Sequence, residues 1–231
     1  MIGTMPGVMA NAEEPATEAE SLLTGKYEKQ HRAVRNPVYR EAATSFAGGD
    51  GSEESPYEIS SAEELQYLSD LLSDEENRSS EYRNRHYILT ADISLNDTSD
   101  YAGWSEAGPE YDWRPIGVAA AFGGVFDGNG HTISGLYINA DMEDDNTADA
   151  RKNGGLFAQI FGGTVKNLNL TEVYIEVSGD ALDTGAIAGS ASKAEISDCT
   201  VDGLVIGYEG YTGGWSETRA VRSADANLTE S

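Results

Sequence analysis

The stretch TVKNLNLTEVYIEV, residues 164–177, decides the fold through the spacing of its apolar residues: Val165, Leu168, Leu170, Val173, Ile175 and Val177. Adding 31 to each number gives Ile196, Cys199, Val201, Leu204, Ile206 and Tyr208, all apolar or aromatic. Subtracting 32 from the first three gives Ile133, Leu136 and Ile138. The segments ahead of these runs match as well, Gly155-Leu156-Phe157-Ala158 against Gly185-Ala186-Ile187-Ala188. Irregular spacing that recurs at a fixed period is the signature of a repeat architecture.

The spacing has a geometric meaning. Leu168 with Leu170, and Val173 with Ile175, alternate as the inward residues of short strands do. The pairs Lys166-Asn167 and Thr171-Glu172 are turns between them. A coil of ~30 residues built this way cannot bury its apolar face alone, so it stacks on its neighbours at a strand spacing of ~4.8 Å. The expected fold is all-β, a parallel β-helix solenoid. Cys199 falls on an inward position and is expected to be a small core residue.

Working outward, Ser61-Ala62-Glu63-Glu64 reads as a capping box, and Leu65, Leu68 and Leu72 follow at helical spacing. One short amphipathic helix is expected over residues 62–73. Residues 74–85 read as a charged loop, and strand periodicity begins at Tyr87, with Leu89, Ile93 and Leu95 following. Gly48-Gly49-Asp50-Gly51-Ser52 reads as a linker. The expected organisation is an extended, partly helical N-terminal docking arm over 1–47, a helix-containing cap and linker over 48–85, the β-helix over 86–208, and a polar tail over 209–231.

Lys plus Arg number 15 against 40 Asp plus Glu, a formal net charge of -25. Such a surface repels nucleic-acid backbones and anionic membranes. One cysteine excludes a disulfide framework. No apolar run is long enough to cross a membrane as a helix, so no membrane insertion is expected. Only five of the basic residues are Lys. Many carboxylates with little Lys suit a protein that stays soluble in molar salt, where charges are screened over ~3 Å. Residues 1–9 lack the charged and apolar regions of a signal peptide.

Residues 51–208 resemble the bacterial and archaeal surface proteins that carry the GLUG motif. The resemblance rests on Ser55-Pro56-Tyr57-Glu58-Ile59-Ser60-Ser61-Ala62-Glu63-Glu64-Leu65, on Leu89-Thr90-Ala91-Asp92-Ile93-Ser94-Leu95 and on Trp113-Arg114-Pro115-Ile116-Gly117. It continues through Phe122-Gly123-Gly124-Val125-Phe126-Asp127-Gly128-Asn129-Gly130-His131-Thr132-Ile133-Ser134-Gly135-Leu136. Gly155-Leu156-Phe157-Ala158 stands for the name-giving motif, with Ala in place of its last Gly, and Gly185-Ala186-Ile187-Ala188 departs further. The resemblance implies a right-handed parallel β-helix in an adhesin-like surface or secreted protein. It offers no catalytic residues to transfer.

The residues that could carry function fall into separate groups. Residues 26–46 carry a net charge of +3 inside an otherwise acidic chain. Lys26, Lys29, Arg32, Arg35 and Arg40, with Leu22, Leu23, Tyr27 and Tyr39 as apolar anchors, are expected to dock the protein into a larger assembly. Val38 and Phe46 are further anchors, and the competing reading is that this island folds back on its own acidic domain. Tyr101, Trp104, Tyr111 and Trp113 cluster in a Gly-rich insertion and are candidate glycan contacts. Asp141, Glu143, Asp144, Asp145 and Asp149 could hold Ca²⁺, the alternative being a solvated acidic loop. No other cofactor is expected.

Asp127, Asp198 and Asp202 lie at turns, where Asp serves backbone geometry. A glycosidase would need two carboxylates facing one sugar at ~5–9.5 Å. His131 reads as structural. Asn-x-Ser/Thr sequons occur at Asn77, Asn96, Asn169 and Asn227 and suit an outer-surface protein. The expected function is non-enzymatic: a structural or adhesive protein of an extracellular surface or a virion, such as a spike, turret or tail-fibre component of a halophilic virus. Its partners would be a protein assembly held through the arm, a host-surface glycan or protein, or a homo-oligomer. The alternatives are a cell-surface adhesin, a secreted carbohydrate-binding protein, and a β-helix polysaccharide lyase or hydrolase.

Overall fold

A computed structural model describes residues 36–73, 80–141, 154–179, 183–211, 214–218 and 226–229. Its strands, in chain order, are β1 (Tyr57–Ile59), β2 (His86–Leu89), β3 (Ile93–Ser94), β4 (Val125–Asp127), β5 (Thr132–Ser134), β6 (Tyr137–Asp141), β7 (Phe157–Phe161), β8 (Thr164–Lys166), β9 (Asn169–Gly179), β10 (Ala188–Ser192), β11 (Glu195–Tyr211), β12 (Gly214–Thr218) and β13 (Ala226–Thr229). Helix among the described residues is confined to α1 (Ala62–Ser73), α2 (Ser80–Arg83) and a 3-10 turn at Tyr101–Gly103. The fold is mostly β, as the sequence predicts, and all described residues belong to one compact unit, Val34–Ser231.

The ladders among β1 to β11 are parallel and join residues about one repeat apart. The first ladder sets Tyr57, Tyr87, Phe126, Val165 and Ile196 side by side across β1, β2, β4, β8 and β11. A second aligns Ile93, Ile133, Leu170 and Val201. A third aligns Ile138, Ile175 and Val205. The last joins β7 to β10, with bridges from Ile116 and Phe122 to β7. Phe126, Ile133, Ile138, Val165, Leu170 and Ile175 are fully buried in one continuous core. Burying each such side chain contributes about 1.5–3 kcal/mol.

The corners between strands need a left-handed backbone. Asn167 and Asp198, one repeat apart, have φ of 54° and 53°. Gly162 and Lys193 occupy another pair of equivalent corners at 71° and 51°, and Glu172 a third kind at 47°. Asn and Asp tolerate this region through local hydrogen bonds. The turns expected at Lys166-Asn167 and Thr171-Glu172 are therefore present.

Helix α1 follows the expected bounds. Ser61 Oγ accepts the Glu64 N–H at 3.2 Å, one half of the capping box. The return bond differs: Glu64 accepts from the N–H and hydroxyl of Ser60, not from Ser61. Leu65, Leu68 and Leu72 join the common core, and the Leu72 carbonyl at the helix end accepts from the N–H groups of Ala119 and Ala120.

Besides α2, which falls inside the loop expected over 74–85, four expectations need correction. The first strand is β1, ahead of the strand expected at Tyr87, because three residues are too few to show a period. Residues 36–47, assigned to the arm, lie on the domain: Ala43 N–H donates to Glu63 O, Ala47 N–H to Glu58 O, and Phe46 meets Tyr57, Tyr67 and Tyr87 at ring-centroid distances of 4.6–5.6 Å. The described parts of 209–231 are strand: β12 and β13 both pair with β11.

The fourth correction concerns register. Ile133 stands beside Leu170 and Ile138 beside Ile175, one corner on from the partners reached by subtracting 32. Past Val201 the register of β11 shifts by one residue, so Val205 faces Ile175 and points inward, 7% exposed, while Leu204 and Ile206 face Tyr174 and Glu176. A one-residue slip exchanges the two faces of a strand. Cys199 is buried as expected, and burial pushes its thiol pKa up.

Candidate interaction face

The described part of the expected docking segment forms a strap. Asn36-Pro37 holds the chain extended. Asp112, 3% exposed, donates its N–H to Val38 O at 2.7 Å and accepts the Val38 N–H on Oδ2 at 3.0 Å. Arg40 is engaged by the domain. Its guanidinium donates to Glu63 Oε1 at 3.1 Å and to Leu95 O at 2.8 Å, and lies 4.3 Å from the centre of the Tyr111 ring. The arrangement is reciprocated: Arg114 lies 4.2 Å from the centre of the Tyr39 ring and pairs with Asp70 at 3.0 Å. Strap and insertion thus exchange one Arg–Tyr stack in each direction.

Tyr39 and Arg40, expected to face an outside assembly, are half-buried against their own chain. For these residues the fold-back alternative describes the structure. Their physical reason is proximity to Glu63, Asp70 and Asp112, which attract a basic segment on an acidic surface. Leu22, Leu23, Lys26, Tyr27, Lys29, Arg32 and Arg35 lie outside the described residues.

The aromatic residues read as glycan contacts split into two groups. Trp113 is in the main core, 3% exposed, with its indole N–H donating to Leu156 O. Tyr111 is half-buried under Arg40. Trp104, 2% exposed, packs between Tyr101 and Tyr137, and Tyr137 stacks on Tyr174 at 5.5 Å. The Tyr101 hydroxyl donates to Val173 O at 2.7 Å. The insertion therefore covers an outward ladder of Tyr137, Tyr174 and Leu204, and its two tryptophans are spent on that cover and on the core, not presented as a stacking platform for sugar. The cluster in sequence was legible, but not which face it covers.

Beside the strap lies a cavity of about 10 Å³ lined by Arg40, Gln66, Asn96 and Asp112 among others, room for about one water. Asn96 is 5% exposed; its amide donates to Tyr111 O and Gly135 O and accepts the Tyr111 N–H. That sequon is closed to modification in the folded protein. Asn169 is half-buried, donates to Gly130 O and accepts from Thr200.

The carboxylates weighed for catalysis build corners. Asp127 Oδ1 accepts from Asn129 N–H at 2.8 Å and from Asn167 Nδ2 at 2.9 Å, and Oδ2 pairs with Lys166 at 3.2 Å. Burial pushes the Asp127 carboxyl up, yet the bonds from Asn167 and Asn129, with Lys166, outweigh burial and hold its pKa below the ordinary value. Asp92 accepts from Thr132 N–H at 2.9 Å and meets His131 Nδ1 at 3.1 Å; these two bonds hold its pKa low. Asp198 is a left-handed corner residue. Glu143, Asp144, Asp145 and Asp149 lie outside the described residues, and Asp141 ends β6. Among the described residues no three His, Cys, Asp or Glu side chains gather as metal ligands would, and no helix is long and apolar enough to cross a membrane.

No family model matches the chain, and no solved structure matches it. Two proteins do. Halomucin of Haloquadratum walsbyi is 34% identical over 236 residues, covering 99% of this chain and 2% of its own length. A Gly-rich membrane protein of Evansella cellulosilytica is 31% identical over 164 residues, 68% of this chain and 16% of its own length. The chain thus corresponds to a small part of each relative.

Proposed function

We propose that this chain is a non-enzymatic display module, a right-handed parallel β-helix of the GLUG-like kind carried on the outer surface of a salt-adapted organism, where it makes structural or adhesive contacts. The observation that carries the reading is the use of Asp127 and Asp92. Each accepts backbone and side-chain hydrogen bonds at a corner, the work of a carboxylate that sets geometry. The parallel ladders with one buried core support the β-helix, and the charge of -25 supports salt adaptation. The names of the two relatives, one a membrane protein and one Halomucin, support the surface location.

Cell surface is favoured over virion, because both relatives belong to cellular organisms. The virion appendage keeps one specific support from the sequence, the basic residues Lys26, Lys29, Arg32 and Arg35 in an otherwise acidic chain. Antibody against the domain, applied to intact cells and to virus particles of the source, tests both. Labelled envelopes support the surface module, labelled particles the appendage, and label seen only after lysis overturns both. Release of reducing ends from surface polysaccharides by the purified chain would overturn the non-enzymatic reading.

A further inference from the structure

The pairings inside the stack are parallel, whereas the antiparallel pairings among the described residues fall on its first and last rungs. At the first rung Gly48 bridges Glu58 of β1 in the antiparallel sense. At the last, β12 pairs antiparallel with Gly207–Tyr211 of β11, and β13 with Glu195–Cys199. Gly207 faces Thr218 and Cys199 faces Ala226, and the register of β13 then shifts by one residue before Ile196 faces Leu228. The other edge of β11 is filled by β8 and β9.

An edge strand presents unpaired N–H and C=O groups that template pairing with another chain. Here the edge that would receive a further rung is occupied by strands of the opposite sense. A parallel rung would need the same backbone groups, so it is excluded while β12 and β13 are in place. We propose that β12 and β13 are a plug that makes the stack self-limiting and keeps the protein monomeric, and that removing them turns the β11 edge into a docking surface for the β11 edge of a second copy. Two copies of one edge related by a two-fold axis perpendicular to the sheet pair antiparallel, the sense β11 already accepts over both its ends. The result is a closed dimer. This inference rests on the pairing pattern and not on the display role.

The test compares the full chain with a chain ending at Tyr211, in the same molar-salt buffer, by light scattering coupled to size exclusion and by circular dichroism. The expected result is a monomeric full chain and a truncated chain of twice the monomer mass with its strand signal retained. A folded monomeric truncation, an open series of polymers, or a full chain that already dimerises would each overturn the proposal. If the truncated chain unfolds, the full-length Asn227→Pro, Leu228→Pro variant decides. With proline at both positions neither Asn227 nor Leu228 has an N–H to donate to β11. Dimerisation of that variant supports the plug, and a folded monomer overturns it.

Discussion

Val38 and Asp112 hold one another twice, through the Asp112 N–H to the Val38 carbonyl and through the Val38 N–H to the Asp112 carboxylate. A strap residue that is 46% exposed is thereby fixed to an aspartate that is 3% exposed. With Arg40 and the Tyr39–Arg114 stack, this pair makes residues 36–47 part of the domain rather than a free arm.

Deletions separate the two roles. Removing residues 1–33 stops at the boundary of the compact unit and is expected to leave the melting temperature within a few degrees of the full chain. Removing residues 1–47 also removes the strap and Phe46, and is expected to lower it sharply. Asp112→Ala takes away the acceptor of the Val38 N–H and should cost about 1–3 kcal/mol. Thermal melting followed by circular dichroism reads all three, and equal melting of the two deletions would assign the strap no structural role.

The Gly-rich run at 123–130 has a physical reason at each step. A Cβ on Gly124 would sit 2.0 Å from the Arg85 carbonyl oxygen, a backbone atom just ahead of the paired strand β2 that cannot move aside. Gly124→Ala should therefore cost more than the usual 0.5–3 kcal/mol of a point substitution, whereas Gly130→Ala meets open space and is penalised only by its φ of 79°. The order of the two melting temperatures checks the strand spacing at this turn.

How much of this was legible follows from particular residues. The ladders were foreshadowed by Val165, Leu168 and Leu170, and burial of all three agrees. Register was not, because the corner pattern repeats within a coil. Leu170, Val173 and Ile175 have the same spacing as Val165, Leu168 and Leu170, so Ile133, Leu136 and Ile138 fit either set. The structure selects the first, since β4 and β5 are joined by Gly128–His131, two residues more than the corner Asn167-Leu168 between β8 and β9. Trp104 and Trp113 were legible as a cluster but not as cover, because burial on an outward ladder depends on where the insertion lands. The strap was hidden by composition: Arg40 and Arg114 read as surface cations, and their stacking on Tyr111 and Tyr39 pairs residues some 70 positions apart.

The slip beyond Val201 gives a sharp test of register. Leu170→Asp buries an unpaired carboxylate between rungs and should cost several kcal/mol. Val205→Asp should be similarly damaging, since Val205 faces Ile175 in the core. Leu204→Asp, one residue earlier, falls on the half-buried outer face and should be the mildest of the three. Melting temperatures in the order Leu204→Asp above Val205→Asp are expected, and the reverse order would restore the unshifted repeat.

Salt should stabilise the domain. A net charge of -25 repels itself at low ionic strength, and screening shortens the reach of that repulsion from ~30 Å at 0.01 M to ~3 Å at 1 M. The melting temperature is expected to climb from dilute buffer to multimolar KCl. A flat or falling curve would remove salt adaptation from the proposed function.

The last expectation concerns acid. The Asp127 pKa is lowered in the folded protein because the hydrogen bonds from Asn167 and Asn129, together with Lys166, favour the ionised carboxylate more than burial opposes it. A depressed folded-state pKa means that the unfolded chain binds its proton first as pH falls. The stabilisation is therefore complete above the ordinary carboxyl value of about 3.9 and disappears as pH drops through the lower folded-state value. Asp127→Asn keeps the shape but abolishes the titration. It should lower stability at neutral pH by weakening the bonds to Lys166 and to the two donors, and it should flatten the loss of stability on the acid side below pH about 4. Melting temperatures of both proteins across that range, at constant molar salt, measure the difference. Parallel acid limbs would show that the Asp127 corner carries no pH-dependent stability.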